Sequence, residues 1–180
     1  MKNFLLTGMF IVWASSANAG IFDGQTLQYT YLFPDQTTEY SNAPNGNYLC
    51  CVGIEVSPIT DGIGSLDLQS DGFAALFTDS GGFNPASFNG FRITDINGTI
   101  PSFTSFTLGL NTALSGDPSL SFDDNNLYVN WQNLSWIPGE VDFNVGVNAI
   151  PEPEIYAMMG IGLAFMGYVT RRRNRRIAVA

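Results

Sequence analysis

The chain has 180 residues, with seven basic residues against sixteen acidic ones, no histidine, and a formal net charge of −9. Between Gly20 and Ile150 the imbalance steepens: Arg92 is the single basic residue against fourteen acidic ones, a net charge of −13. So acidic a surface repels nucleic-acid phosphates and excludes nucleic acid as a partner. The lack of histidine and lysine in that stretch removes the commonest general base, the commonest zinc ligand and Schiff-base chemistry.

Met1 to Ala19 has the form of a secretory signal peptide. Lys2 supplies the positive start, Phe4 to Ala14 the apolar centre, and Ala17-Asn18-Ala19 a small-residue cleavage site that predicts a mature start at Gly20. Such a leader implies an export translocon and a signal peptidase as partners.

The stretch 20–150 is long enough for one domain with a core of its own, and its periodicity is that of strands. Thr26 to Phe33 mixes alternation with aromatic and β-branched residues and stops at Pro34-Asp35. Tyr48 to Val56 reads as a buried strand. Ser65 to Gln69 and Phe73 to Thr78, either side of Ser70-Asp71-Gly72, form the clearest hairpin. Phe88 to Ile96 places Phe91, Ile93 and Asp95 on one face. Phe103 to Leu110 and Leu120 to Phe122 follow, and Leu127 to Trp131 carries Leu127, Val129 and Trp131 in phase. Val141 to Val147 alternates almost without fault, with Val141, Phe143, Val145 and Val147 together. Many short strands separated by Gly, Asn, Asp and Pro predict an all-β fold, a jelly-roll-like antiparallel β-sandwich.

Candidate chemistry within this domain is sparse. Cys50 and Cys51 are adjacent, so pairing with each other staples nothing distant. They form a vicinal disulfide, pair with another molecule, or stay buried as small hydrophobes. Catalysis would have to use carboxylates or tyrosine alone, and Asp123-Asp124 sits in an Asp/Asn run that turn chemistry by itself produces. The expectation is therefore a protein that is not an enzyme and has no resident cofactor or metal. Two ligand alternatives stand beside it. Calcium, a hard cation, seeks clustered oxygens such as those of Asp117, Asp123, Asp124, Asn125 and Asn126. Extracellular polysaccharide would stack on an exposed aromatic; Trp131 belongs with the core residues, whereas Trp136, beside Pro138-Gly139, is expected to be exposed.

The last thirty residues hold the strongest pattern. Pro151 to Pro153 is expected to be a stiff, extended lead-in, and Glu154 sits where an acidic residue helps the first turn of a helix. Ile155 to Thr170 is uncharged and apolar, and as a helix it would rise roughly 24 Å, a little short of the ~30 Å bilayer core. Arg171, Arg172 and Arg173, with Arg175 and Arg176, would hold the end of the chain on the cytoplasmic side. Pro-Glu-Pro, a short apolar helix and an arginine cluster in this order resemble the PEP-CTERM sorting signal. The resemblance implies a membrane protease of the exosortase type as partner, membrane anchoring before processing, and delivery to the cell surface or beyond. It also implies that Pro151, Glu152, Pro153, Arg171, Arg172 and Arg173 carry the signal. Four further residues, Ile177 to Ala180, follow the arginines and are not expected to block recognition. A softer resemblance, from Phe88-Asn89-Gly90-Phe91 through Trp131 to the closing valine-rich strand, links 20–150 to cargo domains of such proteins and implies a sandwich without assigned chemistry. The domain plan is thus a signal peptide at 1–19, a β-sandwich at 20–150 and a sorting signal at 151–180, with its transmembrane helix at 155–170. The function expected from it is that of a non-enzymatic surface or extracellular-matrix protein.

Overall fold

Strand alternation sends every second side chain to one face, so a chain with this pattern needs a second sheet to bury its apolar face. The computed structural model of the protein describes residues 20–148 and 159–168. Ala17, Ala19, Pro151, Glu152, Pro153, Arg171, Arg172, Arg173 and the two ends of the apolar run lie outside those residues.

The first six strands are β1 (Thr26–Leu32), β2 (Gly46–Leu49), β3 (Ile54–Val56), β4 (Ser65–Gln69), β5 (Gly72–Phe77) and β6 (Gly81–Gly82). The next six are β7 (Gly90–Asp95), β8 (Phe103–Asn111), β9 (Ser119–Phe122), β10 (Asn126–Asn130), β11 (Ser135–Trp136) and β12 (Gly139–Val147). One five-stranded sheet has the order β2-β1-β7-β10-β9, and the other has the order β3-β4-β5-β12-β8. Strands β6 and β11 form a two-stranded ribbon beside them. Every pairing is antiparallel. The two large sheets hold ten strands, two more than the eight of a simple jelly roll.

The inner faces meet in one aromatic-rich core. Tyr29 and Tyr31 of β1, Phe91 and Ile93 of β7, and Leu127 and Val129 of β10 are buried against Leu66, Phe73, Phe77, Val141 and Phe143 of the opposing sheet. Phe73 and Phe91 meet edge to face across the layers at 5.7 Å, a geometry aromatic quadrupoles favour. The in-phase set Val141, Phe143 and Val145 is buried as the alternation predicts, with Val147 packed against the core. Asp95 is also buried on the Phe91–Ile93 face. Its carboxylate accepts the backbone N–H groups of Asn97, Gly98 and Ile100, so the turn after β7 supplies the donors that a buried charge requires. At Gly90 the neighbouring strand passes so close that a Cβ would collide with the carbonyl oxygen of Val129.

Tyr48 to Val56 departs from the expectation of one buried strand. It is broken into β2 and β3 by a turn at Cys50–Gly53, where Cys51 has φ 71° and Gly53 φ 128°. A disulfide joins Cys50 to Cys51. Of the three fates open to these cysteines, the vicinal bridge is the one observed. Cys50 faces the core, whereas Leu49, Val52 and Ile54 are exposed. Both strands lie at sheet edges, so only part of this apolar run, Cys50 and Val56, reaches the core.

Beyond the sandwich, residues 159–168 are helical and every one of them is exposed. Among the described residues no helix is long and apolar enough to cross a membrane. The remainder of the 155–170 span lies outside them.

Candidate functional site

Of the residues singled out for ligand chemistry, Asp123 and Trp136 make contacts within the fold. Asp123 Oδ1 accepts the backbone N–H of Asn125 at 3.0 Å and of Asn126 at 2.9 Å, and the Asn126 amide donates to both carboxylate oxygens. Partial burial pushes the Asp123 carboxyl upward. The hydrogen bonds from Asn125, Asn126 and Tyr128 outweigh that, and its pKa ends below the usual carboxylate value. Asp124 is exposed beside it. Among the described residues no group of three or more Cys, Asp or Glu side chains is placed to hold a metal ion.

Trp136 is buried, contrary to the exposure expected from the adjacent Pro-Gly turn. Its ring packs 4.5 Å from Phe83 and 6.0 Å from Phe77, lies over Gly81, and donates its indole N–H to Asp79 at 3.1 Å. Trp131, assigned to the core, is fully buried. Neither indole offers a face to an external sugar.

A different site forms at the end of the sandwich where β1, β4, β5 and β7 terminate together. Three connections supply it. Tyr31 is the last but one residue of β1, and Phe33 and Tyr40 lie on the segment after it. Thr60, Asp61 and Ile63 come from the β3–β4 connection. Gly82, Phe83, Asn84 and Asn89 come from β6 and the approach to β7. Together these residues line an open cleft of about 70 Å³. Behind it runs a buried polar chain: the Trp131 indole donates to Tyr31 Oη at 3.0 Å, Tyr31 donates to Asn89 Oδ1 at 2.7 Å, and Asn89 Nδ2 donates to the Asn84 carbonyl at 3.0 Å. A chain of this kind fixes the ring and amide orientations on the cleft floor.

Two features of the cleft are chemically unsettled. Thr60 is 2% exposed and its hydroxyl has no hydrogen-bond partner, which costs about 1–3 kcal/mol for a buried group left unpaired. Asp61 holds a left-handed backbone, φ 43°, ahead of Gly62, a conformation that Asp tolerates better than most side chains. The Asp61 carboxylate raises the Tyr40 phenol above its ordinary pKa, and burial adds to the shift.

The two phenols of the core make the fold sensitive to alkali. Burial raises Tyr29 well above 10.0, aided by the neighbouring Tyr31 and Tyr48. Burial also raises Tyr31, against the lowering effect of the Trp131 hydrogen bond, with Asp61 and Tyr40 adding to the rise. Both folded values lie above the unfolded one. Their contribution to stability is therefore whole below about pH 10 and is lost as the pH climbs toward the folded values. Denaturant melts should give constant stability through neutral pH and a fall above about pH 10. Tyrosinate absorbance should show two phenols ionising only as the protein unfolds. Full ionisation of all tyrosines in a still-folded protein would contradict this account.

Residues 149–176 match the PEP-CTERM protein-sorting motif. The chain carries a PEP-CTERM sorting signal. Comparison with curated proteins and with solved structures gives no match. The PEP-CTERM match begins two positions after the end of β12 and includes the exposed helix at 159–168. A PEP-CTERM signal implies processing by an exosortase, a membrane enzyme, and sorting to the cell surface.

Proposed function

We propose that the protein is an exported, non-enzymatic component of the cell surface or extracellular matrix, with the β-sandwich as cargo. In this reading the leader 1–19 takes the chain through an export translocon and is removed by signal peptidase. The apolar run 155–170 then holds it in the inner membrane until an exosortase releases it. The observation that carries the reading is the PEP-CTERM match immediately after the closing strand. Two others support it. The backbone nitrogen of Gly20 lies 2.7 Å from the Asp23 carboxylate, so a new amino terminus created there would meet a negative partner. The carboxylates of Asp23, Asp35, Asp95 and Asp123 accept hydrogen bonds that tie turns and loops together, which suits scaffolding better than proton transfer.

Mass spectrometry of the protein from the medium and from the membranes of its host tests this directly. The expected species lacks Met1–Ala19 and the segment after Pro153. A chain kept in the membrane fraction with its arginines intact would make it an anchored periplasmic domain instead.

A further inference from the structure

We infer that removal of the leader locks the fold: the ammonium group created at Gly20 is held in a seat built from Asp23, Ser70 and Asp71. It clamps the start of the mature chain to the turn that joins β4 to β5. The inference rests on the proposed cleavage after Ala19 and goes beyond it, because it gives the new terminus a structural role.

The first residues of a domain stay loose unless something ties them down. Here three consecutive backbone nitrogens are tied. Gly20 N donates to Asp23 Oδ2 at 2.7 Å, Ile21 N to Asp71 Oδ1 at 3.1 Å, and Phe22 N to the Ser70 carbonyl at 2.9 Å. Ser70 Oγ donates to the other Asp23 oxygen at 2.7 Å, so Asp23 bridges the chain start and the turn. Phe22 is fully buried and edge-on to Phe103 at 6.3 Å, and Ile21 packs against the core. The approach at Gly20 is close, since a Cβ there would collide with the Cβ and the carbonyl of Ser70. A larger first residue would have to push the turn away.

Cleavage changes the chemistry of that nitrogen. In the uncleaved chain it is an amide with one hydrogen and no charge; afterwards it is an ammonium with three donors. A hydrogen bond between charged partners is roughly twice as strong as a neutral one. The bonds from Ser70 and Gly20 hold the Asp23 carboxyl below its ordinary pKa, so a carboxylate is ready to receive the ammonium at neutral pH. In the stretch 20–150 the only other cation is Arg92. The same turn also receives the closing strand, because Val145 N donates to the Asp71 carbonyl at 3.0 Å, and the sorting motif starts at residue 149, just past β12. Start and end of the domain are thus pinned to one turn, and the lock acts at the end from which the tail departs.

Lys2 is the sole lysine of the chain, so once the leader is gone the Gly20 amine is the one primary amine left. It can be modified selectively on the folded protein. The exported species would be purified from its host and its mass read. Thermal unfolding would be followed before and after acetylation, which removes the charge, and after reductive dimethylation, which keeps it. The mass should place the start at Gly20. Acetylation should lower the melting temperature by about 1–3 °C, as expected for one exposed ion pair, and dimethylation by less. In Asp23→Asn the effect of acetylation should shrink, because the partner charge is gone. A start at any residue other than Gly20 would overturn both the lock and the proposed cleavage. With a start at Gly20, three results would overturn the lock alone and leave the export reading intact. These are an unchanged melting temperature on acetylation, an equal loss on dimethylation (an effect of bulk, not charge), or an undiminished acetylation effect in Asp23→Asn.

Discussion

Replacing Trp131 with alanine should cost about 3–5 kcal/mol, a large fraction of the 5–15 kcal/mol that ordinarily separates a folded domain from its unfolded chain. The indole is fully buried at the junction of both sheets. It stacks on Phe83 with an interplanar angle of 11° and meets Phe77 and Phe91 edge-on at 5.9 and 5.1 Å. Truncation would open a cavity against three rings that cannot all collapse into it. It would also remove the donor to Tyr31 Oη. Urea titration followed by circular dichroism would measure the loss. Trp131→Phe separates the two contributions, because it restores a ring and still lacks the indole N–H; it should recover most of the stability. A loss below about 1 kcal/mol for Trp131→Ala would mean that this ring is not the keystone of the core.

Much of the sandwich is legible in the sequence because each strand states its inward face locally. Leu127, Val129 and Trp131 are in phase, as are Val141, Phe143 and Val145, and all are buried. The Ser65–Gln69 hairpin is legible for a second reason, since Asp71-Gly72 supplies turn chemistry between two alternating runs and the strands pair in register. The errors arise where a distant segment decides the outcome. Trp136 is buried by Gly81 and Phe83, more than fifty residues away. The Tyr48–Val56 run is apolar yet lies at an edge, with its turn fixed by left-handed Cys51 and by Gly53. No periodicity encodes either fact.

The cleft shows the same limit more sharply. Its residues stretch from Tyr31 to Asn89 over three connections, and no spacing among them forms a motif. Asp61-Gly62 is readable as a turn, but nothing adjacent says that Thr60 beside it lacks a hydrogen-bond partner. Asp123-Asp124 offered the opposite case, a visible local cluster whose carboxylate is consumed by its own turn. Local patterns therefore located the turns, while the burial of Trp136 was decided by distant residues that no local pattern names. The sorting signal is the exception, because a contiguous segment carries it.

Neutralising the arginine cluster should have the largest effect on the fate of the protein. Arg171, Arg172 and Arg173 follow an apolar run with no charge of its own, and cationic residues at one end of a span hold that end on the cytoplasmic side. With Arg171→Gln, Arg172→Gln and Arg173→Gln combined, Arg175 and Arg176 remain, so the span should still insert in part of the population. The stop is weakened all the same, and each cation lost removes about 1 kcal/mol of attraction to anionic inner-leaflet lipid. The expected result is a fall in the processed, released species, with unprocessed chain accumulating in the cell. Immunoblotting of medium, membrane and soluble fractions would read it. A companion variant, with the three residues changed to lysine, separates charge from side-chain recognition. If lysine restores release, the cluster acts as an electrostatic anchor. If it does not, the exosortase reads the guanidinium groups themselves. Release of the glutamine variant at the parent level would remove the arginines from the sorting mechanism altogether.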